Sequence, residues 1–438
     1  MVLIVADDQR AESLSGMTQV RRLLTDRGMR FSRAMVPTAL CCPSRSSILT
    51  GLYAHNTRVY GNGRAGGPRF GGWAQVHRQG LESRTIAVTL QRAGYRTGLF
   101  GKYLNDFSRL SPDGYRPPGW HRFLTFERPN AAYIRYRLTD GSWHGSGPED
   151  YSTDVLARRA RAFIEDTPQG KPLFLVYTPY GPHRPYRPAP RDEFAPVVVP
   201  ETNGNMVGGE DLVSVPHTLW PPPRSANDNP TWMARRSVAS TGVAERLGEA
   251  QTRVLLSVDD AVGTIVRTMR REGRIRNTLF IYMSDNGYLW GEHGLVGKDA
   301  PYAAATRVPL VVRWDGHVAA GGVDRRLAVN VDIAATISKA AGVHLPADGL
   351  DLLSDRRRNG FVLEAMPGNR GRPAYCGWRS PHHMYVRWAT GREELYDYRV
   401  DPGERNNLAD YPRYRPIADR MRARAVEACR PEPPGFDW

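Results

Sequence analysis

Met1-Val2-Leu3-Ile4-Val5-Ala6-Asp7-Asp8 opens the chain, and Leu279-Phe280-Ile281-Tyr282-Met283-Ser284-Asp285-Asn286 repeats its form far downstream. Each is a short apolar run that stops abruptly on acidic or amide side chains. Runs of this length without polar alternation read as strands buried on both faces. Outward from them, residues 85–93 carry helical spacing, stop at Gly94 and lead into a strand-like stretch over 96–103. Residues 153–165 are amphipathic and precede an apolar run over 172–178. A long helical stretch over 243–272 ends at Gly273, ahead of strands over 278–283 and 308–313, and a helix over 331–341 stops at Gly342. Strand and helix in alternation predict an α/β fold, a mostly parallel sheet flanked on both faces by helices.

The tail has another grammar. After about residue 345 the runs shorten, as in Phe361-Val362-Leu363-Glu364, His383-Met384-Tyr385-Val386-Arg387-Trp388 and Glu394-Leu395-Tyr396-Asp397-Tyr398, and a last helical segment covers 412–428. This predicts a smaller C-terminal antiparallel sheet plus a helix, and a division into 1–345 and 346–438. Residues 179–235 are rich in Pro and Asn with little periodicity, and loops that long are often functional.

Composition narrows the class. The chain has 438 residues, 41% hydrophobic and 24% charged, which excludes a disordered or fibrous protein. No apolar run approaches the roughly 20 residues of a bilayer span. The formal charge is +15, which favours an anionic partner, yet only four of the 60 basic residues are lysine. The arginines are spread along the chain, so the charge reads as compositional bias rather than a nucleic-acid surface. Against that bias each lysine is conspicuous: Lys102, Lys171, Lys298 and Lys339. Cys41, Cys42, Cys376 and Cys429 are too few for a disulfide scaffold, and pairing of Cys376 with Cys429 stays open. The first residues form a strand rather than a signal peptide. The expected location is therefore cytoplasmic, or extracellular or periplasmic if a secretion signal lies upstream of Met1.

In a parallel sheet the carboxyl ends of the strands carry the ligand site. Asp7, Asp8, Asp285 and Asn286 sit at two such ends, and their hard oxygens suit Ca²⁺ or Mg²⁺ rather than zinc. Each Asp taken alone also fits a simple turn cap. A third stretch adds to them: Leu40-Cys41-Cys42-Pro43-Ser44-Arg45-Ser46-Ser47-Ile48-Leu49-Thr50-Gly51. It sets a cysteine and an arginine at the start of a helix, where anions are welcome and a thiol is expected to be acidified. A buried cysteine beside a turn proline is the alternative.

This segment resembles the sulfatase signature Cys-x-Pro-Ser-Arg-x-x-x-Leu-Thr-Gly at every specified position, with Cys41 in the modified place and Cys42 in a variable one. Asp7-Asp8 and Ser284-Asp285-Asn286-Gly287 are similar to the family's metal ligands. Lys102 in Gly101-Lys102-Tyr103, His183 in Gly181-Pro182-His183-Arg184-Pro185 and Lys298 in Gly297-Lys298 resemble its sulfate-contacting residues. Asp401-Pro402 and Asn406-Asn407-Leu408 extend the likeness to about residue 410. The resemblance implies an alkaline-phosphatase-like fold, with 1–345 as its catalytic domain and 346–438 as a small α+β subdomain. It implies a catalytic set of Cys41, Arg45, Lys102, His183 and Lys298, and a metal set of Asp7, Asp8, Cys41, Asp285 and Asn286. A formylglycine-generating enzyme would oxidise Cys41 to formylglycine, whose aldehyde hydrates to a diol. One hydroxyl, polarised by Ca²⁺ (Mg²⁺ being the other candidate), attacks sulfur; loss of the second hydroxyl's proton then releases sulfate. His183 serves either the leaving oxygen or the diol proton.

Where many arylsulfatases have a histidine two residues after the first lysine, this chain has Leu104. Gly101-Lys102-Tyr103-Leu104-Asn105 and Pro117-Pro118-Gly119-Trp120 instead resemble the N-acetylglucosamine-6-sulfatase and heparan endosulfatase branch. That implies a sulfated carbohydrate substrate, with Trp120, Tyr133, Tyr136, Trp143 and His144 as candidates for the wall of a sugar cleft. Asn105 is expected either at a polar contact near the diol or in a turn. His55 and His293 are read as packed or solvated rather than catalytic. The rivals are a phosphodiester or phosphonate hydrolase of the same superfamily and a non-catalytic polyanion-binding protein.

Overall fold

Every side chain of the first strand is apolar and buried, which puts it in the middle of a sheet covered on both sides. The computed structural model describes residues 1–63, 71–127, 133–199, 241–368 and 371–438. Eight strands form the main sheet: β1 (Val2–Ala6), β2 (Met29–Met35), β3 (Arg96–Gly101), β4 (Arg122–Leu124), β5 (Leu173–Thr178), β6 (Phe280–Ser284), β7 (Leu310–Arg313) and β8 (Gly322–Val329). Their spatial order is β8-β2-β7-β6-β1-β5-β3-β4. All neighbours run parallel except the pairs made by β7, which is antiparallel to both β6 and β2.

Among the helices that cover the sheet are α1 (Cys41–Thr50), α2 (Ile86–Arg92), α3 (Ser152–Glu165), α4 (Thr241–Arg271) and α5 (Asp332–Ala340). Alternate residues of β1 serve the two faces. Leu3 and Val5 enter a core with Ile48 of α1, Ile86 of α2 and Ile333 of α5. Val2 and Ile4 enter the opposite one, with Leu156 and Phe163 of α3 and Val258 and Ile265 of α4. Burial of each such side chain contributes about 1.5–3 kcal/mol. Among the described residues no helix is long and apolar enough to cross a membrane.

The expected second sheet is an antiparallel meander, β9 (Phe361–Ala365), β10 (Tyr375–Arg379), β11 (His383–Trp388) and β12 (Glu393–Asp397). Helix α6 (Arg415–Ala428) covers one face, packing Met421 and Ala425 against Tyr385 and Leu395. The other face sends Leu363, Val386, Trp388 and Tyr396 into the main core. Cys376 in β10 and Cys429 just after α6 form a disulfide across 53 residues, closing the pairing that sequence left open.

Strands β2, β8 and β10 escape a reading by apolar runs. Arg30 and Arg33 interrupt the first, and Asp324-Arg325-Arg326 the second, where the pairing with β2 shifts register at the sheet edge. Of the three only β8 is an edge strand, which needs only part of itself buried, so its apolar signal is diluted. Of the long Pro- and Asn-rich stretch, 179–199 runs as turns with one short helical turn, Pro190–Asp192, while 200–235 lies outside the described residues.

Candidate active site

Strands β1 and β6 are neighbours in register, Ala6 beside Ser284, so Asp7-Asp8 and Asp285-Asn286 leave the sheet together. The Asp285 amide donates to the Ala6 carbonyl at 3.0 Å, and the Asp8 amide to Asp285 Oδ1 at 3.2 Å. Asn286 Nδ2 donates to Asp8 Oδ1 at 2.7 Å. Asp8 is held at φ 70°, a left-handed conformation that an L-residue adopts at a cost. All four side chains are at most 1% exposed, so the carboxylates require positive partners.

Three cations supply them. Strand β3 ends at Gly101, whose φ of +122° turns the chain against β5; a Cβ there would lie 1.9 Å from the Thr178 carbonyl oxygen. That turn aims Lys102, whose Nζ is 2.6 Å from Asp7 Oδ2. Lys298 pairs with Asp8 and also donates to Cys41 Sγ at 2.7 Å. Arg45 reaches Asp285 Oδ2 through Nε at 2.7 Å and the Lys102 carbonyl through a terminal nitrogen at 2.8 Å. Cys41, first residue of the wholly buried α1, lies 3.5 Å from Asp7 Oδ1. Leu40 offers no side-chain cap to that helix; Asn62 Oδ1 instead accepts from the Cys42 amide at 2.8 Å. His183 follows β5 with Nε2 3.7 Å from Asp8 Oδ2, while its Nδ1–H donates to the Arg184 carbonyl at 2.8 Å. The nine residues singled out by sequence thus converge on one place, at the carboxyl ends of β1, β3, β5 and β6 and the N-terminus of α1.

The charges interlock. Burial raises the Asp7 carboxyl, but Lys102, with His183 and Arg45, overcomes it and holds the group at about 2. Asp8 is likewise lowered, Lys298 outweighing burial. Burial also depresses His183, against the pull of Asp7 and Asp8. The expected acidified thiol does not occur: burial pushes Cys41 up to about 12, and Lys102 and Lys298 only partly oppose it. A helix N-terminus acidifies a thiol that water can reach, and this one is sealed at 0% exposure.

Asp7, Asp8, Cys41 and Asp285 each offer a ligand atom, all within 4.8 Å of one another. Asn286 Oδ1 is buried and has no hydrogen-bond partner among the described residues. An orphaned amide oxygen beside three carboxylates fits a hard divalent cation.

A cleft of about 500 Å³ opens over Asp8, His183 and Lys298, with Asn62, Tyr186 and Tyr288 in its walls. The aromatics expected there are elsewhere. Trp120 stacks on Phe174 in the core, and Tyr133 and Tyr136 are 1% exposed. Trp143 is exposed in a short hairpin, paired across it with Arg137, and neither it nor His144 lines the cleft. Proximity in sequence to Pro117-Pro118-Gly119-Trp120 is a poor guide, because the core claims Trp120, Tyr133 and Tyr136 and a hairpin outside the cleft carries Trp143 and His144. Tyr186 and Tyr288 were missed; Tyr186 lies only three residues beyond His183, and Tyr288 two beyond Asn286. Asn105 sits in a turn, its backbone hydrogen-bonded to Cys42. His55 bonds Glu364 at 3.0 Å, and His293 stacks on Tyr302 with ring centres 3.8 Å apart; neither lines the cleft.

The sequence profile of the sulfatase family matches residues 1–343. An N-acetylglucosamine-6-sulfatase of Capra hircus is 33% identical over 374 residues, covering 81% of this chain and 62% of its own length. The chain therefore spans less than two thirds of that relative. The structure of BT4656 in complex with its substrate D-glucosamine-2-N,6-O-disulfate superposes with a TM-score of 0.77 at 20% identity, covering 99% of this chain and 98% of that one. The phosphonate monoester hydrolase of Agrobacterium radiobacter superposes at 0.70 and 20% identity, with 98% and 94% covered. At such identities the two structures share this chain's fold.

Proposed function

The chain belongs to the sulfatase family, and from that membership we propose that it hydrolyses sulfuric esters of a sugar, a 6-O-sulfated N-acetylglucosamine or related glycosaminoglycan unit. The observation that carries the reading is the seat of Cys41: a sealed thiol, 2.7 Å from the Lys298 ammonium and beside three buried carboxylates. The sugar is supported by the name of the goat relative.

Cys41 is read as the precursor of formylglycine, made by a formylglycine-generating enzyme, and the hydrated aldehyde supplies the attacking oxygen. Asp7, Asp8, Asp285 and Asn286, with residue 41, would hold Ca²⁺, or Mg²⁺ with the same ligand types; the ion supplies Lewis acidity and a template for the sulfate. Lys102 and Lys298 flank residue 41 and oppose charge moving onto the sulfate oxygens, the electrostatic term that usually dominates. Arg45 holds Asp285 and the Lys102 carbonyl, so it fixes the spacing of α1, β3 and β6 around the reacting group. His183 keeps its Nδ1 proton on the Arg184 carbonyl, which leaves Nε2 to take or return a proton at the cleft floor.

A phosphodiester or phosphonate hydrolase is the second reading, because the Agrobacterium enzyme of that activity shares the fold. Intact-peptide mass spectrometry across residues 38–45 of protein from its native host tests the mechanism; the expected product is formylglycine at 41. Unmodified thiol there would refute it. Rates on sulfate and phosphate esters of one alcohol separate the two hydrolases, with sulfate expected to be the faster.

A further inference from the structure

The cations of the site are nearly all engaged. Lys298 is bound to Asp8 and Cys41, and Lys102 to Asp7. Arg372, which also lines the cleft, donates to Asp299, to the Met366 carbonyl and to the Pro373 carbonyl. Arg184 differs: it is exposed, lines the same cleft, and its guanidinium has no hydrogen-bond or ion-pair partner among the described residues.

Its surroundings are polar and held in place. His183 Nδ1–H donates to the Arg184 carbonyl, which ties the backbone at Arg184 to the ring at the cleft floor. Tyr186 is kept at φ 55°, a left-handed conformation, and its hydroxyl meets that of Tyr288 at 2.7 Å. Arg184, Tyr186 and Tyr288 all line the one cleft; burial raises both phenols, and the Arg184 charge opposes that rise. A guanidinium and a phenol pair lining one cleft, with one phenolic O–H still free to donate, are groups that recognise a carboxylate or a sulfate.

We infer that Arg184, with the hydroxyls of Tyr186 and Tyr288, forms a subsite for a second oxyanion of the substrate, separate from the sulfate hydrolysed at the cleft floor. The inference rests on the sulfatase reading and narrows its substrate class to a glucosamine-6-sulfate unit bearing another negative group. Two sources share that chemistry, a sulfate on the sugar's own nitrogen and the carboxylate of an adjoining uronate. Binding to this subsite forms no bond; it places the sugar and adds affinity that salt weakens.

The test uses full-length protein carrying Cys41→Ala, which binds without turnover. Calorimetry compares three ligands: N-acetylglucosamine-6-sulfate, glucosamine-2-N,6-O-disulfate, and a disaccharide of uronate and N-acetylglucosamine-6-sulfate. At least one dianionic ligand is expected to bind about tenfold or more tightly than the monoanionic one, and the tighter of the two identifies the source. Adding Arg184→Gln should erase that ratio, and Arg184→Lys should restore only part of it, because lysine lacks the fork. Equal binding of all three, or a ratio unchanged by Arg184→Gln, overturns the subsite while leaving the sulfatase reading in place. If none of the three binds to protein whose Ca²⁺ site is filled, the sugar-sulfatase reading falls and takes the subsite with it.

Discussion

At the scale of single residues, the adjacent cysteines separate chemistry from packing. Both thiols are fully buried, yet only Cys41 touches Lys298 and Asp7, while Cys42 packs in the apolar core. Cys41→Ala is expected to abolish sulfate release with the fold intact. Cys42→Ala should keep activity within about tenfold and cost about 1 kcal/mol, the loss of one buried sulfur. Turnover of a chromogenic sulfate together with thermal melting checks both, and the reverse pattern would put the signature out of register. Asn286→Ala is a cleaner probe of the metal site than loss of Asp285, which would strand the buried Arg45 charge. Removing Asn286 should weaken Ca²⁺ binding at least about tenfold by calorimetry. Undiminished affinity would exclude it as a ligand.

Among the elements, β3 and α1 do the positioning. Lys102 reaches Asp7 only because Gly101 turns where any side chain would strike the Thr178 carbonyl. Gly101→Ala should therefore destabilise the protein by at least about 2 kcal/mol, through a strained φ and a backbone clash together. Its chemical denaturation midpoint and kcat should fall together; an unchanged midpoint would show that the strand end can shift without loss. Helix α1 keeps its N-terminal amides in order through Asn62, a residue from another segment, where most helices use a local cap. Nothing in the signature itself announces that contact.

For the whole molecule, the C-terminal sheet is joined to the catalytic part by shared core and by polar contacts, among them a histidine–carboxylate pair. His55, just after α1, bonds Glu364 of β9. Burial lowers the ring's pKa, but the hydrogen bond and charge of Glu364 outweigh it and raise the ring above 6.5. A raised folded value means that the pair's stabilisation is fully present below about pH 6.5 and fades as pH climbs through the folded value. Tm should accordingly drop more between pH 6 and pH 8 in the parent protein than in His55→Gln. Equal pH dependence in both would show that the pair does not titrate. Reducing Cys376–Cys429 should cost about 2–4 kcal/mol, because it frees a loop of 53 residues and the hold on α6.

Local sequence determined the alternation of strand and helix, the acidic ends of β1 and β6, the cysteine signature and the two exceptional lysines. These are properties of short stretches, where apolar runs, glycine stops and ligand chemistry can be read without knowing what lies opposite. Only the tertiary structure decided that Ala6 and Ser284 stand side by side, which turns two acidic pairs into one site. It also decided that Cys41 is sealed from water, so burial overrides the helix terminus and its thiol is raised rather than acidified. It took Trp120, Tyr133 and Tyr136 of the expected aromatic wall into the core, left Trp143 and His144 in a hairpin outside the cleft, and put Tyr186, Tyr288 and Arg184 at the cleft instead. Register, burial and the partners of a charge depend on residues far apart in the chain, and no stretch of sequence carries its own neighbours.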